Sequence, residues 1–308
     1  MATTLPSIED SSQLGWWRKH RTHYLIIAAI FVLPALINFA VFRYFPMLWA
    51  FRASLWQYSL LGGFREFVGF DNYIRALTAD PRFWQSMQVT LLYVLGKVPI
   101  TVALALGLAV FANQERRGMG AIRALIFVPV ITSFVVVSIV WGMVLNRDVG
   151  LMNAFLQTLG LPRTAFLTSP TNALPTIIGI SIWKDVGYSV IILVAGLRGI
   201  SQEYYDASIV DGANVWQRFI YVTIPLLRRH LMFVIVIGTL FAFQVFIPVY
   251  QLTSGGPQQA TDVIVHNIYR RGFIFGEMGY ASALSMILLV LLLLISVLQI
   301  RLLRSEDL

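Results

Sequence analysis

Residues 279–301 read GYASALSMILLVLLLLISVLQIR, and Arg301 is the one charged residue in this stretch. A helix needs about 20 mainly apolar residues to cross a hydrocarbon core of about 30 Å. An apolar run in a buried soluble helix is usually about 10–14 residues long. The stretch therefore predicts a membrane-spanning helix.

Five further apolar blocks precede this stretch, separated by segments rich in Gly, Pro, Asn and charge, at about 24–45, 86–111, 123–145, 173–197 and 231–252. Of the 308 residues, 57% are hydrophobic and 12% are charged, and the mean hydropathy is +0.73. Soluble proteins carry about 25% charged residues. The sequence therefore predicts an all-α membrane protein with six transmembrane helices.

The predicted organisation is a basic N-terminal segment at 1–23, a six-span domain at 24–302 and a short tail at 303–308. The first apolar block is longer than the roughly 7–15 residues of a signal-peptide core, so we expect it to remain as a span. The side that holds both termini carries 12 Lys and Arg residues, against 9 on the other side, and the positive-inside rule places it in the cytoplasm. The net charge of +8 lies in short clusters beside the spans, which indicates lipid headgroups rather than nucleic acid.

Sequence signatures of catalysis are missing from the chain. It has no cysteine, no G-x-x-x-x-G-K-[ST] phosphate loop, no H-E-x-x-H and no G-x-S-x-G. Its four histidines are too dispersed to indicate a metal site or a catalytic triad: His20, His23, His230 and His266. We therefore expect a chain with no catalysis, cofactor or metal of its own.

Two lysines, Lys97 and Lys184, fall inside predicted spans, and Asp185 follows the second. Charge at membrane depth is costly, so both side chains should face protein or water. They could line a polar translocation path, form a structural ion pair, or extend toward a membrane surface. The sequence leaves these alternatives open.

The longest cytoplasmic connection, predicted at 198–230, contains signals for two short helices. Ser201 is a suitable N-cap for a helix at about 202–210, and Gly212 allows the positive φ of a sharp helix exit. A second helix is predicted at about 213–222. Its apolar residues fall at helical spacing and form one exposed face, which usually indicates a protein partner: Val215, Trp216, Phe219 and Ile220.

Residues 201–225, here called the elbow, carry the most specific pattern in the chain. The run at 203–213 reads EYYDASIVDGA, and 222–225 reads VTIP. These residues resemble E-x-Y-E-A-A-x-I-D-G-A and the trailing I-x-L-P of the permease subunits of binding-protein-dependent ABC importers, in particular the carbohydrate group. Asp206 and Ser208 stand where the pattern has Glu and Ala, and they keep the negative charge and the small volume.

Three other segments resemble the same family, so the resemblance covers nearly the whole chain. FVGFDNYI at 67–74 resembles F-x-G-x-x-N-Y. LTSGGP at 252–257 with Thr261 resembles L-T-x-G-G-P-x3-T, and MGYASA at 278–283 resembles G-Y-A-S-A. The last two segments are similar to the first permease of a two-permease pair.

The resemblance implies a bacterial inner-membrane transport subunit for a sugar, polyol or glycerol phosphate. It implies four partners: a second homologous permease, two ATP-binding subunits that hold ATP and Mg²⁺, and an extracytoplasmic solute-binding protein. The elbow would dock on an ATPase and transmit its closure to the spans. The implied coupling residues are Glu203, Tyr205, Asp206, Ala207, Ser208, Asp211, Gly212, Ala213, Trp216, Phe219 and Pro225.

The spans that flank the elbow carry a candidate solute path. Aromatic faces pack on sugar rings, and polar groups bind hydroxyls. The candidate residues are Trp183, Lys184, Asp185 and Tyr188 in the fourth span, and Phe243, Gln244, Phe246 and Tyr250 in the fifth. In the outer loop, the turn at Gly255, Gly256 and Pro257 would contact the binding protein, or it would only connect two spans.

Two other classes stay open from the sequence. A secondary transporter driven by an ion gradient would need carboxylates inside the membrane, and Asp185 is nearly the only candidate. The elbow would have no purpose in such a protein. An intramembrane transferase would need scattered carboxylates that assemble in three dimensions.

Overall fold

The computed structural model describes residues 27–303 except residues 28, 115 and 116. The predicted segment 1–23 and most of the predicted tail lie outside the described residues. In chain order the elements are α1 (Ala29–Ser54), β1 (Trp56–Ser59), β2 (Gly63–Phe67), α2 (Asp71–Ile74), α3 (Pro81–Ala112), α4 (Met119–Ile131), α5 (Phe134–Val144), α6 (Leu151–Thr158), α7 (Ala173–Arg198), α8 (Gln202–Val210), α9 (Val215–Phe243), α10 (Ile247–Leu252), α11 (Ile264–Tyr269) and α12 (Met278–Leu303). Among the described residues, five helices are long and apolar enough to cross a membrane: α1, α3, α7, α9 and α12.

The third predicted span, 123–145, is not one straight helix. α4 and α5 are joined at Thr132 and Ser133 and form a bend of 98°. Thr132 has an extended backbone, with φ −77° and ψ 140°. Pro129 in the last turn of α4 has no N–H donor, which weakens the helix just before the bend. Counting the pair as one broken span gives the six transmembrane segments of the predicted fold.

The fifth predicted span, 231–252, has different limits in the structure. α9 begins at Val215 in the elbow and enters the membrane without interruption, through a π-helical turn at Phe219–Thr223. It ends at Phe243, and residues 244–246 separate it from α10. Pro248 accounts for this break, because its missing N–H cannot bond to the carbonyl of residue 244 in a continuous helix. The predicted segment therefore covers the second part of α9 and all of α10, and the break between them was not predicted.

A short antiparallel hairpin of β1 and β2 follows α1 and was not predicted from the sequence. Tyr58 and Phe64 stack across its strands with ring centroids 4.5 Å apart. The hairpin packs against the start of α12, where a Cβ on Gly279 would lie 2.1 Å from the carbonyl oxygen of Trp56. Apart from this hairpin, the all-α prediction is confirmed.

The segment that follows the hairpin holds it against the end of α1. Asn72 Nδ2 donates a hydrogen bond to the carbonyl oxygen of Ser54 at 2.9 Å. The hydroxyl groups of Tyr73 and Ser54 are hydrogen-bonded at 2.6 Å. The Asn and Tyr of the predicted F-x-G-x-x-N-Y segment therefore have structural roles in this chain.

An acidic side chain joins the first turn of α3 to α12 and to the segment before α12. Asp80 is the N-cap of α3, where it accepts a hydrogen bond from the backbone N–H of Arg82 at 3.0 Å. It also accepts hydrogen bonds from Arg271 at 2.8 Å and from the Tyr280 hydroxyl at 2.6 Å. Burial favours the neutral carboxyl, but the Tyr280 hydrogen bond, the charge of Arg271 and the backbone N–H groups hold the pKa of Asp80 below its usual value.

α3 and α7 pack along each other at the centre of the fold. The core contains buried apolar side chains from these helices and from α9 and α12, including Tyr93, Val98, Ile177, Leu193, Phe243 and Leu284. α4 approaches α7 very closely at Gly187, where a Cβ would lie 2.3 Å from the carbonyl oxygen of Ile126. Small residues allow membrane helices to approach in this way.

The contact at Gly187 gives a test of the packing. Gly187→Ala should lower the melting temperature of the purified chain by roughly 5 °C, because a methyl group forced against a backbone carbonyl costs about 1–3 kcal/mol. Gly179→Ala on the same helix is the matched control, since a Cβ there meets no atom within 4 Å. Thermal unfolding in detergent compares the two variants. Equal melting temperatures would contradict the close approach of α4 and α7.

Candidate functional site

A cavity of about 570 Å³ lies between α3, α7, α9, the bend that joins α4 to α5, and the start of α10. Most of its wall is apolar. Its polar side chains come mainly from the middle of α3 and of α7: Tyr93, Lys97, Thr101, Lys184, Asp185, Tyr188, Ser189 and Gln244. Because α3 and α7 are long enough to cross a membrane, their midpoints place this polar group near the centre of the bilayer.

An ion pair joins α3 to α7 inside the cavity. Lys97 Nζ lies 2.5 Å from Asp185 Oδ2. The Lys97 side chain is 9% exposed and the Asp185 side chain 36% exposed, so the carboxylate is the partner that is open to the cavity. The closer partner of Asp185 is therefore a lysine on another helix, and the adjacent Lys184 is the more distant one.

Lys184 occupies a different position in the same wall. Its Nζ donates a hydrogen bond to the carbonyl oxygen of Val130 at 3.3 Å and lies 5.1 Å from the centre of the Phe134 ring. Its distance to the nearer Asp185 oxygen is 4.0 Å. Lys184 therefore connects α7 to both sides of the α4–α5 bend, and only 7% of the residue is exposed.

Five of the eight candidate path residues line this cavity: Lys184, Asp185, Tyr188, Gln244 and Phe246. The other three do not. Trp183 packs edge-on against Trp141, with ring centroids 5.7 Å apart, and Phe243 is buried in the apolar core. Tyr250 stacks on Phe246 with ring centroids 5.3 Å apart and is not part of the cavity lining. Trp183 and Phe243 are each one residue away from a lining residue, and one step along a helix turns a side chain by about 100°. The solute path itself stays a prediction.

The sequence analysis missed part of the cavity wall on α3. Tyr93 and Thr101 line it together with Lys97, and the three residues are spaced four apart. That spacing places them on one helix face. The Tyr93 hydroxyl is fully buried and has no hydrogen-bond partner among the described residues.

The elbow is a capped, internally bonded unit. The Ser201 side chain accepts a hydrogen bond from the backbone N–H of Glu203, and Asn214 and Gln217 form a capping box at the start of α9. Gly212 between the two helices has φ +79°, a conformation that favours glycine. The hydroxyl groups of Tyr205 and Thr223 lie 3.1 Å apart and join the two arms.

The exposed surface of the elbow carries both apolar and acidic side chains. Trp216 is 74% exposed and lies edge-on to the half-buried Phe219. Among the described residues, no Lys or Arg forms an ion pair with the elbow carboxylates of Glu203, Asp206 and Asp211. The remaining coupling candidates are exposed or half-buried on the same short segment: Tyr205, Ala207, Ser208, Gly212, Ala213 and Pro225.

The outer loop turn is more enclosed than the sequence suggested. Gly255 is buried, and a Cβ there would lie 2.7 Å from the His266 ring. Gly256 and Pro257 are half-buried. Gly255 therefore has a packing role, and as a candidate contact it is corrected, because its surface is covered by the loop itself.

The outer loop is also tied directly to α3. The backbone N–H of Ile264 donates to the Thr90 hydroxyl at 2.8 Å, and Asn267 Nδ2 donates to Ser86 Oγ at 3.2 Å. Within the loop, His266 Nδ1 lies 2.6 Å from Asp262 Oδ1. The loop thus packs into the membrane domain and is not a simple external connection.

Several membrane spans around a mid-membrane cavity with charged side chains in its wall, and an exposed elbow at one end, are typical of a transport permease. The chain belongs to the family described as binding-protein-dependent transport system inner membrane component, which matches residues 98–305. The expected membership of the ABC importer permeases is confirmed.

Individual relatives agree over most of the chain. The probable ABC transporter permease protein YesP of Bacillus subtilis is 36% identical over 265 residues, which cover 85% of each chain. The trehalose/maltose transport system permease protein MalF of Thermococcus litoralis is 32% identical over 280 residues, covering 90% of this chain and 92% of that one. Among solved structures, a similar chain occurs in the crystal structure of a bacterial alginate ABC transporter in complex with alginate pentasaccharide-bound periplasmic protein. The two folds match with a TM-score of 0.81 and 26% sequence identity, over 94% of this chain and 96% of that chain.

The ion pair of the cavity can be tested by removing one charge and then both. Asp185→Asn leaves the buried Lys97 charge without its carboxylate, and we expect the free energy of unfolding to fall by about 2 kcal/mol. Breaking a buried pair costs about 3–5 kcal/mol, and the partial exposure of Asp185 reduces this value. The double variant Lys97→Met with Asp185→Leu removes both charges and should recover most of the loss. Unfolding in detergent measures the three proteins, and a double variant less stable than the single one would contradict the pairing.

Proposed function

We propose that this chain is the permease subunit of an ATP-driven ABC importer for a sugar or a related polyol or glycerol phosphate. It forms half of the translocation path and couples to a cytoplasmic ATPase through the elbow. The observation that carries the proposal is the continuity of the elbow with α9. One uninterrupted helix runs from the exposed Trp216 to Phe243 at the level of the cavity.

This continuity supports a direct mechanical route from the ATPase to the solute. The capping box and the Tyr205–Thr223 hydrogen bond make the elbow stiff. A force on its exposed surface therefore displaces the whole elbow as a rigid body. α9 then moves with it. The residues of α9 that face the cavity are Val234, Ile237, Gly238 and Phe241, so the motion changes the shape of the cavity wall.

The cavity has the composition of a carbohydrate site. Tyr188 and Phe246 offer aromatic surface for a sugar ring, and Gln244, Ser189 and Thr101 offer polar groups for hydroxyls. Its volume of about 570 Å³ falls within the usual range of small-molecule sites, about 300–1,000 Å³. The names of the relatives, with trehalose, maltose and alginate, support the same class of solute.

The partners of the importer follow from this function. We expect a second homologous permease, two ATP-binding subunits that hold ATP and Mg²⁺ and hydrolyse the nucleotide, and an extracytoplasmic binding protein. Both termini and the elbow would lie in the cytoplasm, below the inner membrane of a bacterium. The apolar part of α1 is exposed along its length, which suits contact with lipid or with the second permease.

A secondary transporter driven by an ion gradient receives less support. Asp185 is the one carboxylate in the described lining of the cavity, and it is already paired with Lys97. The positive charges of Lys97 and Lys184 beside it oppose the binding of a driving cation. The exposed apolar face of the elbow would also have no partner in such a protein.

Copurification tests the proposed assembly. The tagged chain, isolated from its native host in mild detergent, should bring a second permease and an ATP-binding subunit that mass spectrometry identifies. Trp216→Ala should lower ATPase recovery at least five-fold, because a central aromatic residue commonly contributes about 2 kcal/mol or more to an interface. Leu61→Ala, at a fully exposed position in the outer hairpin, is the matched control. A chain that purifies alone and transports without ATP would contradict the proposal.

A second test addresses coupling itself. Gly212→Pro should abolish ATP-driven uptake while the chain stays in the membrane, because proline holds φ near −65° and Gly212 has φ +79°. Gly212→Asn is the control, since asparagine tolerates positive φ and a Cβ at this position meets no atom within 4 Å. Uptake of labelled solute into cells measures both variants. Normal uptake by Gly212→Pro would refute the role of the elbow.

A further inference from the structure

We propose that the cavity takes an acidic sugar, whose carboxylate, sulfonate or phosphate group binds the ammonium groups of Lys97 and Lys184. This inference rests on the proposed function, because it treats the cavity as part of the solute path. It adds the charge class of the solute, which the fold alone does not give.

The charges in the cavity wall do not balance. The described lining of the cavity contains two lysines and one carboxylate, and no other charged side chain. Each lysine is 7% exposed. Charge held away from water at membrane depth is costly unless an opposite charge compensates it. The negative charge of Asp185 balances the charge of one lysine, so the cavity wall keeps an excess of one positive charge.

The two ammonium groups also have unused hydrogen-bond donors. Each ammonium group has three N–H donors. Lys97 uses one on Asp185, and Lys184 uses one on the carbonyl of Val130. No further hydrogen bond of either ammonium group is found among the described residues. An anionic group with two or three oxygens would accept hydrogen bonds from several of these donors at once.

Asp185 lies close to both lysines. Its Oδ2 atom contacts Lys97 at 2.5 Å, and its Oδ1 atom is 4.0 Å from Lys184. One carboxylate therefore holds both ammonium groups at one side of the cavity. Tyr188 and Phe246 line the same space and supply the surface for the sugar ring, so charge and ring recognition occur within one site.

Binding of matched acidic and neutral sugars tests this inference. The copurified assembly, placed in nanodiscs of zwitterionic lipid without the binding protein, is titrated with glucuronate and galacturonate and with their uncharged amides. We expect each acid to bind at least ten-fold more tightly than its amide, measured by calorimetry. Lys184→Gln should remove most of this preference, and Lys184→Arg should keep it.

The control for overall charge is Arg163→Gln, which removes one positive charge at an exposed position outside the cavity lining. It should leave the preference unchanged. The inference is overturned if acid and amide bind equally, if neither binds, or if Lys184→Gln keeps the full preference. An assembly that couples ATP to the uptake of a neutral sugar but shows no preference for acids would overturn this inference alone. Absence of an ATPase from the assembly would instead count against the proposed function.

Discussion

Charge at the centre of a bilayer constrains the rest of this structure. Lipid cannot solvate Lys97, Lys184 and Asp185, so the helices around them must enclose them. The Lys97–Asp185 pair joins α3 to α7, and Lys184 reaches the carbonyl of Val130 at the α4–α5 bend. The cavity occupies the space that these helices leave around the charges. α9 completes its wall and carries the elbow at its other end.

Proline makes this enclosure possible by interrupting helices beside the cavity. Pro129 precedes the bend between α4 and α5, and Pro248 follows the break after α9. Irregular backbone within a membrane is tolerated where it is buried or lines a cavity, and both interruptions border this one.

Local signals in the sequence predict the six-segment fold and the elbow. Apolar length identifies the spans, and the Ser201 cap and Gly212 locate the elbow, because caps and turns depend on a few adjacent residues. Contacts between distant residues are different: Lys97 and Asp185 lie 88 positions apart. Burial of Gly255 under His266 likewise depends on how the outer loop folds back. The four-residue spacing of Tyr93, Lys97 and Thr101 was a local signal, and it does indicate their shared helix face.

The outer loop and the elbow are attached to different helices. The N–H of Ile264 in the outer loop is bonded to Thr90 of α3, whereas the elbow continues into α9. These two helices both border the cavity, so a displacement of the outer loop and a displacement of the elbow would reach the cavity wall by separate routes. The shape of the cavity therefore depends on two attachments at once, one at each end of the helix bundle.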